Sequence, residues 1–364
     1  MAKVLLISTN YWPEPTGIAI YTTDLAQNLK SNGFSVTVLT SLPHYPWWKI
    51  PSEFSNLSQG FTIQNGIEVF RSKHFIPRKM NGYLRMRFEN SLWWGLKRVS
   101  KYFYLREFDI VLAIIPTVAA GLIGKRLSSK FKVPFGLIVQ DLSGPGSKQS
   151  GLFGGALISK FAQFLEGIVL KSATSIVLVS PAMRNVLLDL GVRQSKLNQI
   201  PNYTTFSPKS LNKRKSRARF DWSNNDFLVL HTGNMGAKQD LKNVIYAADS
   251  LKSDSRVKIF LIGHGNQEQR LKSLCAGKTN IHVMPAVSDN EYPALLSAAD
   301  LLLVNERPTQ LTMSLPSKLT SYLFSNRPVI AAVPRGGATW NYLDGIAELV
   351  DAGNPQLLAE KIEE

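Results

Sequence analysis

Three short stretches of this 364-residue sequence combine glycine, lysine and helix-start residues in the way that binding of a diphosphate requires. The first is Thr232-Gly233-Asn234-Met235-Gly236-Ala237-Lys238-Gln239-Asp240, lying between an apolar run and a helical one. Gly233 and Gly236 free the backbone to approach an anion, and Lys238 can project a point charge onto it. Asp240 reads as the N-cap of the helix that follows. The second is Leu315-Pro316-Ser317-Lys318-Leu319, where Pro316 and Ser317 are helix-start signals. The N–H groups of Ser317, Lys318 and Leu319 would face an anion there, with Lys318 reinforcing them. The third is Pro13-Glu14-Pro15-Thr16-Gly17-Ile18, where Gly17 precedes the first helix. Each has a plain counterpart: a capped loop with a solvated lysine, an ordinary helix start, or a turn glycine.

Weaker candidates surround these. Ile262-Gly263-His264-Gly265 follows a strand, and a G-x-G turn lets a base or ribose come close; His264 itself reads as a loop residue. Pro285-Ala286-Val287 follows the next strand, and the backbone at Val287 could read a base edge. Asp141 sits just past a strand and is either a substrate contact or a turn residue. His44, His74, His231 and His282 are isolated, with no CxxC or HExxH spacing, so no metal site is expected. The single cysteine, Cys275, excludes an intramolecular disulfide and favours a reducing compartment.

Charge is unevenly distributed. Residues 1–205 hold 23 basic against 10 acidic residues, residues 206–219 add six basic and no acidic ones, and residues 220–364 hold 13 against 16. Such a field on the first half attracts phosphates on lipid, nucleic acid or substrate. It is densest from Arg71 to Arg106, with ten basic residues and one acid, Glu89. From Leu84 onward the spacing is helical, and Arg85, Trp93, Trp94, Lys97, Arg98 and Lys101 make a candidate membrane-facing set. A solvated basic face over core aromatics, or a nucleic-acid surface, remains open. No nucleic-acid-binding module is recognisable, and no nucleic-acid partner is expected. The run Ile110–Gly124 contains Pro116 and is too short to span a bilayer. Met1–Ser8 reads as a buried first strand, not a signal peptide.

These residues need rigid elements to position them. Strand-like runs alternate with helix-length segments along the whole chain, which predicts α/β architecture with parallel sheets. The segment 201–220 is rich in breakers and basic residues. It divides the chain into two Rossmann-like doubly wound domains, 1–205 and 206–364. Ligands bind such sheets at the carboxyl ends of their strands, so two facing domains predict a site in the crevice between them.

Taken together, the motifs resemble the retaining GT-B glycosyltransferases of family GT4, most of all the bacterial exopolysaccharide and colanic-acid type. The residues carrying the likeness are YWPEPTGI (11–18), LPHYPWWK (42–49), TGNMGAKQD (232–240) and LPSKLTSYLFSNRPVIA (315–331). It extends over essentially the whole chain. The resemblance implies a hexosyltransferase with a GT-B fold and a UDP- or GDP-sugar donor, needing no cofactor and no metal. Lys238 would neutralise the leaving diphosphate, and Asp141 would be the other catalytic residue. Gly17, Gly233, Asn234, Gly236, Gly263, Val287, Pro316, Ser317, Lys318 and Leu319 would bind the donor. The implied acceptor is a glycan or a polyprenyl-diphosphate-linked acceptor, at an anionic membrane surface. That puts the protein in the cytoplasm, peripheral on the inner face of the cell membrane.

Departures from the family pattern are specific. Thr232 stands where many relatives carry an arginine, and Met313 and Ser321 stand where many carry two glutamates, the second of which usually holds the ribose. Gln140-Asp141 replaces a frequent His-Asp, and Glu306 is a candidate to replace one of the acids. Relatives continue beyond the final Lys361-Ile362-Glu363-Glu364, so a truncated second domain is expected. These departures motivate an alternative, a GT-B-fold binding subunit with weak turnover; a nucleic-acid-binding protein is the other.

Overall fold

The computed structural model describes residues 1–15, 17–55, 61–77, 82–142, 156–203, 211–251, 255–309 and 315–364. The chain forms two compact units, Met1–Pro201 and Asn202–Glu364. The boundary expected after residue 205 lies outside the described residues.

The first unit runs β1 Lys3–Ile7, α1 Ile18–Ser31, β2 Ser35–Ser41, the single turn α2 Ser52–Ser55, β3 Phe61–Gln64, β4 Ile67–Ser72 and α3 Gly82–Val99. It continues β5 Ile110–Ile115, α4 Val118–Phe131, β6 Phe135–Val139, α5 Ala156–Ser172, β7 Ser175–Leu178, α6 Met183–Asp189 and β8 Leu197–Gln199. The sheet order is β3-β4-β2-β1-β5-β6-β7-β8. β1 reads KVLLI and buries four of its five residues, because helices cover both faces of a parallel sheet. Among the described strands only β3 runs antiparallel, to β4. That hairpin is absent from the sequence reading, although Asn65-Gly66 signals it. Both residues have positive φ (49° and 70°), as the tight turn between twisted strands demands.

The second unit runs α7 Lys213–Ala218, β9 Phe227–Thr232, α8 Lys242–Ser250, β10 Val257–Ile262, α9 Glu268–Cys275, β11 Ile281–Met284 and α10 Tyr292–Ala298. Then come β12 Leu301–Asn305, α11 Lys318–Phe324, β13 Val329–Val333, α12 Ala338–Leu343, β14 Glu348–Asp351 and α13 Pro355–Glu363. Its order is β11-β10-β9-β12-β13-β14, all parallel. In chain order that is 3-2-1-4-5-6, the Rossmann arrangement, with its reversal between β9 and β12. Alternate side chains of β9 enter different cores: Leu228 and Leu230 pack with Leu319 and Tyr322, Val229 with Val244 and Ile245.

Part of the basic connecting segment has a structural use. Arg217 is 2% exposed and donates to the carbonyls of Ala298, Ser223, Asn224 and Asp226. It also pairs with Asp300, as does Lys213. Those two charges therefore contribute to holding α7 on the unit rather than to an open positive field. Among the described residues, no helix is long and apolar enough to cross a membrane.

Candidate functional site

The sheet reversal in the second unit places two loops side by side at the strands' carboxyl ends, 233–241 after β9 and the segment after β12. The first is pinned from several directions. Met235 is fully buried in the core, and its N–H donates to the His264 carbonyl (2.8 Å). Gly233 N–H donates to the Ile262 carbonyl (2.8 Å). From β12, buried Asn305 donates to the carbonyls of Gln239 (2.7 Å) and Asp240 (3.2 Å), and Arg307 N–H reaches the Lys238 carbonyl (3.0 Å). A Cβ on Gly263 would lie 1.8 Å from the Gly233 carbonyl oxygen. The missing side chain there is thus explained by contact between neighbouring loops, before any ligand is considered. Asp240 does not cap α8: it adopts a left-handed conformation (φ 43°) and Leu241 takes the cap position.

Lys238 is exposed on this loop, while Lys318 is held beneath it. Lys318 Nζ lies 3.0 Å from His231 Nε2 and 3.4 Å from Gln239 Oε1, and would sit 3.8 Å from a Cβ on Gly233. His231 is completely buried, with Nδ1 3.1 Å from the Leu303 carbonyl. Nδ1–H therefore donates to the carbonyl, leaving the Nε2 lone pair to accept from the ammonium. Burial, then the Lys318 charge, keeps this imidazole neutral, well below the usual histidine range. Burial likewise pushes the Lys318 ammonium down to about 7, against a rise from nearby Glu306. Glu306 is buried and accepts from Thr339 Oγ1 (2.8 Å). Burial raises its pKa, and the Thr339 hydrogen bond and the Lys318 and Lys238 charges oppose the rise. The site is a partly desolvated cationic corner with one buried acid, suited to a ligand that brings negative charge. His231 was passed over in the sequence, since nothing in its spacing tells a buried anchor from a core histidine.

The helix-start reading needs revision. Leu319 N–H is committed to the Pro316 carbonyl (3.0 Å), and its side chain lies in the core. Ser317 stands at the cap position without a side-chain cap bond. What α11 delivers is chiefly the Lys318 side chain. Val287 packs partly buried against the same core. Asn234 is exposed, and its Nδ2 would lie 3.0 Å from a Cβ on Gly236. His264 is a loop residue, bonded to Glu268 Oε2 (3.1 Å).

Two departures from the family pattern meet in one network. Thr232 N–H donates to Tyr322 Oη (2.8 Å), and Thr232 Oγ1 lies 3.1 Å from both Tyr322 Oη and Tyr292 Oη. Tyr292 also hydrogen-bonds Ser321. Neutral hydroxyls thus stand where the resemblance led one to expect an arginine and a glutamate. Met313 lies outside the described residues.

In the first unit, Gly17 caps α1 with φ 66°, a left-handed conformation that favours glycine. Buried Glu14 ties its loop to the LPHYPWWK segment, accepting from His44 N–H (2.8 Å), Tyr45 N–H (2.9 Å) and Asn10 Nδ2 (2.7 Å). Arg71, 1% exposed, donates to the Trp12 (2.5 Å) and Ser41 (3.3 Å) carbonyls. Asp141 Oδ1 accepts from Leu142 N–H (2.9 Å).

The candidate membrane-facing set divides across α3. Phe88, Leu92, Leu96 and Val99 are buried. Trp94, Lys97, Arg98 and Lys101 line a shallow depression with Lys73 and His74, whereas Arg85 and Trp93 line a groove toward α4 and α5, and Lys97 Nζ bridges the two, 4.5 Å over the Trp93 ring and 4.6 Å over the Trp94 ring.

Models of two families match the chain: the glycosyl transferase 4-like domain over residues 16–203 and the glycosyl transferases group 1 over residues 212–364. The chain is 28% identical over 337 residues to WcaI of Escherichia coli (strain K12), named as a colanic acid biosynthesis glycosyl transferase; the match covers 88% of this chain and 81% of that protein. Among solved structures it resembles a sucrose-phosphate synthase from Thermosynechococcus elongatus, with a TM-score of 0.73, 16% identity, and coverage of 100% of this chain and 89% of the other. It also resembles Anabaena Alr3699/HepE in complex with UDP, with a TM-score of 0.69, 16% identity, and coverage of 100% and 89%. At these identities the structural likeness is one of fold.

Proposed function

Since the chain belongs to the GT4 glycosyltransferases, with both family models matched and a GT-B fold, we propose the specific transfer that it performs. It moves a hexose from a UDP- or GDP-sugar, with retention, onto a glycan carried by a polyprenyl diphosphate in cell-surface polysaccharide synthesis. The observation carrying this reading is that exposed Lys238 and partly buried Lys318 both act on buried Glu306, with Lys318 held beside the Gly233 turn. In such a transfer the bond from the anomeric carbon to the diphosphate breaks, and the diphosphate departs with an extra negative charge. Preorganised cations stabilise that charge most where water is thin. Lys238 supplies a mobile charge and Lys318 a fixed one, set by His231. Gly17, Gly233, Asn234, Gly236, Gly263, Val287, Pro316 and Ser317 keep their assignment to the donor, the last two by placing Lys318. Asp141 is assigned the contact with the reacting sugar, and no protein nucleophile is invoked. The acceptor's hydroxyl oxygen bonds the anomeric carbon on the face that the diphosphate leaves, and its proton passes to the departing diphosphate.

The likeness to WcaI supports a polysaccharide product, and UDP in the HepE structure supports a nucleotide donor. The basic, aromatic face of α3 supports a membrane-held acceptor on the cytoplasmic side. The test is a thermal-shift panel of UDP-, GDP- and ADP-sugars on the wild type and Lys238→Ala. A stabilising shift with one donor class, with transfer lost in Lys238→Ala but the fold intact, is expected. Full activity in that variant would refute the leaving-group role.

A further inference from the structure

In the first unit, α3, α4 and α5 leave between them a groove of about 1410 Å³, to which the candidate membrane-facing set contributes only Arg85 and Trp93. Ordinary small-molecule pockets reach roughly 1,000 Å³, so this volume suits an extended occupant. Each helix contributes one stripe at helical spacing. From α3 come Met86, Asn90 and Trp93; from α4, Val118 and Leu122; from α5, Phe161, Ala162 and Leu165. Apart from Asn90 these walls are hydrocarbon and aromatic, and several are open to solvent: Met86 is 45% and Phe161 61% exposed. An apolar surface left open in this way usually has a partner.

The rim is cationic. Arg85, Arg87, Lys125, Arg126 and Lys130 border the groove, and among the described residues no carboxylate pairs with the last four. Arg126 and Lys130 are held in place by Tyr104, the first at 3.4 Å from its hydroxyl and the second 4.2 Å above its ring. Among the described residues the one acid lining the groove is Glu89, which faces Arg85 and Glu166, and burial pushes its carboxyl up to about 7. A hydrocarbon trough with fixed cations at its edge is complementary to a molecule with a long apolar chain and a phosphate head.

We propose that the groove between α3, α4 and α5 holds the hydrocarbon chain of a lipid diphosphate, with Arg126 and Lys130 on its phosphates. The inference rests on the lipid-linked acceptor proposed above and names the part of the chain that recognises the lipid. Sugar contacts lie elsewhere. The groove binds the carrier, and binding concentrates the acceptor at the protein.

The test uses the full chain with phosphatidylcholine vesicles containing a diazirine-bearing polyprenyl diphosphate. Irradiation followed by peptide mapping should place the cross-links within residues 82–99, 118–131 and 156–172. A polyprenyl diphosphate should compete, and inorganic pyrophosphate should not. Affinity should fall about fourfold for each methylene removed from the buried part of the chain. Ala162→Trp, at a partly exposed position, fills the trough, and Arg126→Gln with Lys130→Gln strips the rim. Each should weaken cross-linking by about tenfold or more while sugar-nucleotide thermal shifts persist. Cross-links mapping elsewhere, or unchanged in Ala162→Trp, overturn the proposal. So does a concentration-dependent dimer that Ala162→Trp dissolves, which would make the occupant a second copy. Cross-links at the groove without transfer to any polyprenyl-diphosphate glycan uphold the groove and overturn the acceptor reading alone.

Discussion

Lys318 gives donor binding a pH signature. Its ammonium is pushed from an ordinary value of 10.5 down to about 7 by burial, with Glu306 only partly opposing. A bound diphosphate would supply the missing counter-charge and lift that value again, so binding above neutrality takes up a proton. Only the protonated fraction is competent to pair. That fraction is about half at pH 7, about a tenth at pH 8 and about a hundredth at pH 9. The dissociation constant should therefore rise about tenfold per pH unit above neutrality, or about 1.4 kcal/mol per unit. The free protein moves the other way. The unfolded chain keeps this proton up to 10.5 and the folded chain releases it above about 7, so stability rises with pH across that window. A UDP- or GDP-sugar is the suitable ligand, since its bridging diphosphate does not titrate there. Calorimetry in buffers of differing ionisation enthalpy should show uptake approaching one proton near pH 8. In Lys318→Met the uptake and the slope should vanish, with weak binding at every pH. An affinity that is flat from about pH 6.5 to about pH 8.5, or a slope that survives in Lys318→Met, would refute the reasoning.

Other outcomes follow from packing and charge. Gly263→Ala would drive a Cβ into the Gly233 carbonyl; it should cost on the order of 3 kcal/mol in urea unfolding and abolish donor binding. Asp300→Ala would leave Arg217 buried without its carboxylate and should cost about 3–5 kcal/mol; a loss below about 1 kcal/mol would make that pair dispensable. Glu89 has a folded pKa raised to about 7, so the stability it confers is present at acid pH and lost as pH rises through that value. Glu89→Gln should thus stabilise the chain by roughly 1–3 kcal/mol near pH 8 and hardly at all near pH 5, read as melting temperature against pH. Lys238→Ala should lower transfer by about a hundredfold or more with little change in melting temperature, because the side chain is exposed and its charge acts on the departing group.

Much of the fold was legible because its signals are local. The apolar runs Lys3–Ile7, Ile110–Ile115 and Phe227–Thr232 had to be buried strands, and their alternation with helices had to give parallel sheets. Gly17, Gly233 and Lys238 stood out for the same reason: a glycine turn or a loop lysine is defined by its immediate neighbours. The hairpin at Asn65-Gly66 was also written locally and was overlooked. Short strands such as β8 and β14 lie at sheet edges, where three or four residues give little periodicity to read.

Sequence alone therefore determined the two doubly wound units, the glycine turns and the excess of positive charge in the first half. Tertiary structure decided which groups act together. Lys318 meets His231, 87 positions away, only because the helix after β12 lies across the end of β9. Thr232 and Ser321 share one tyrosine, and three helices far apart in the chain wall one groove. Hydrogen bonding and desolvation depend on distance in space, and for long-range pairs the order of residues does not encode that distance.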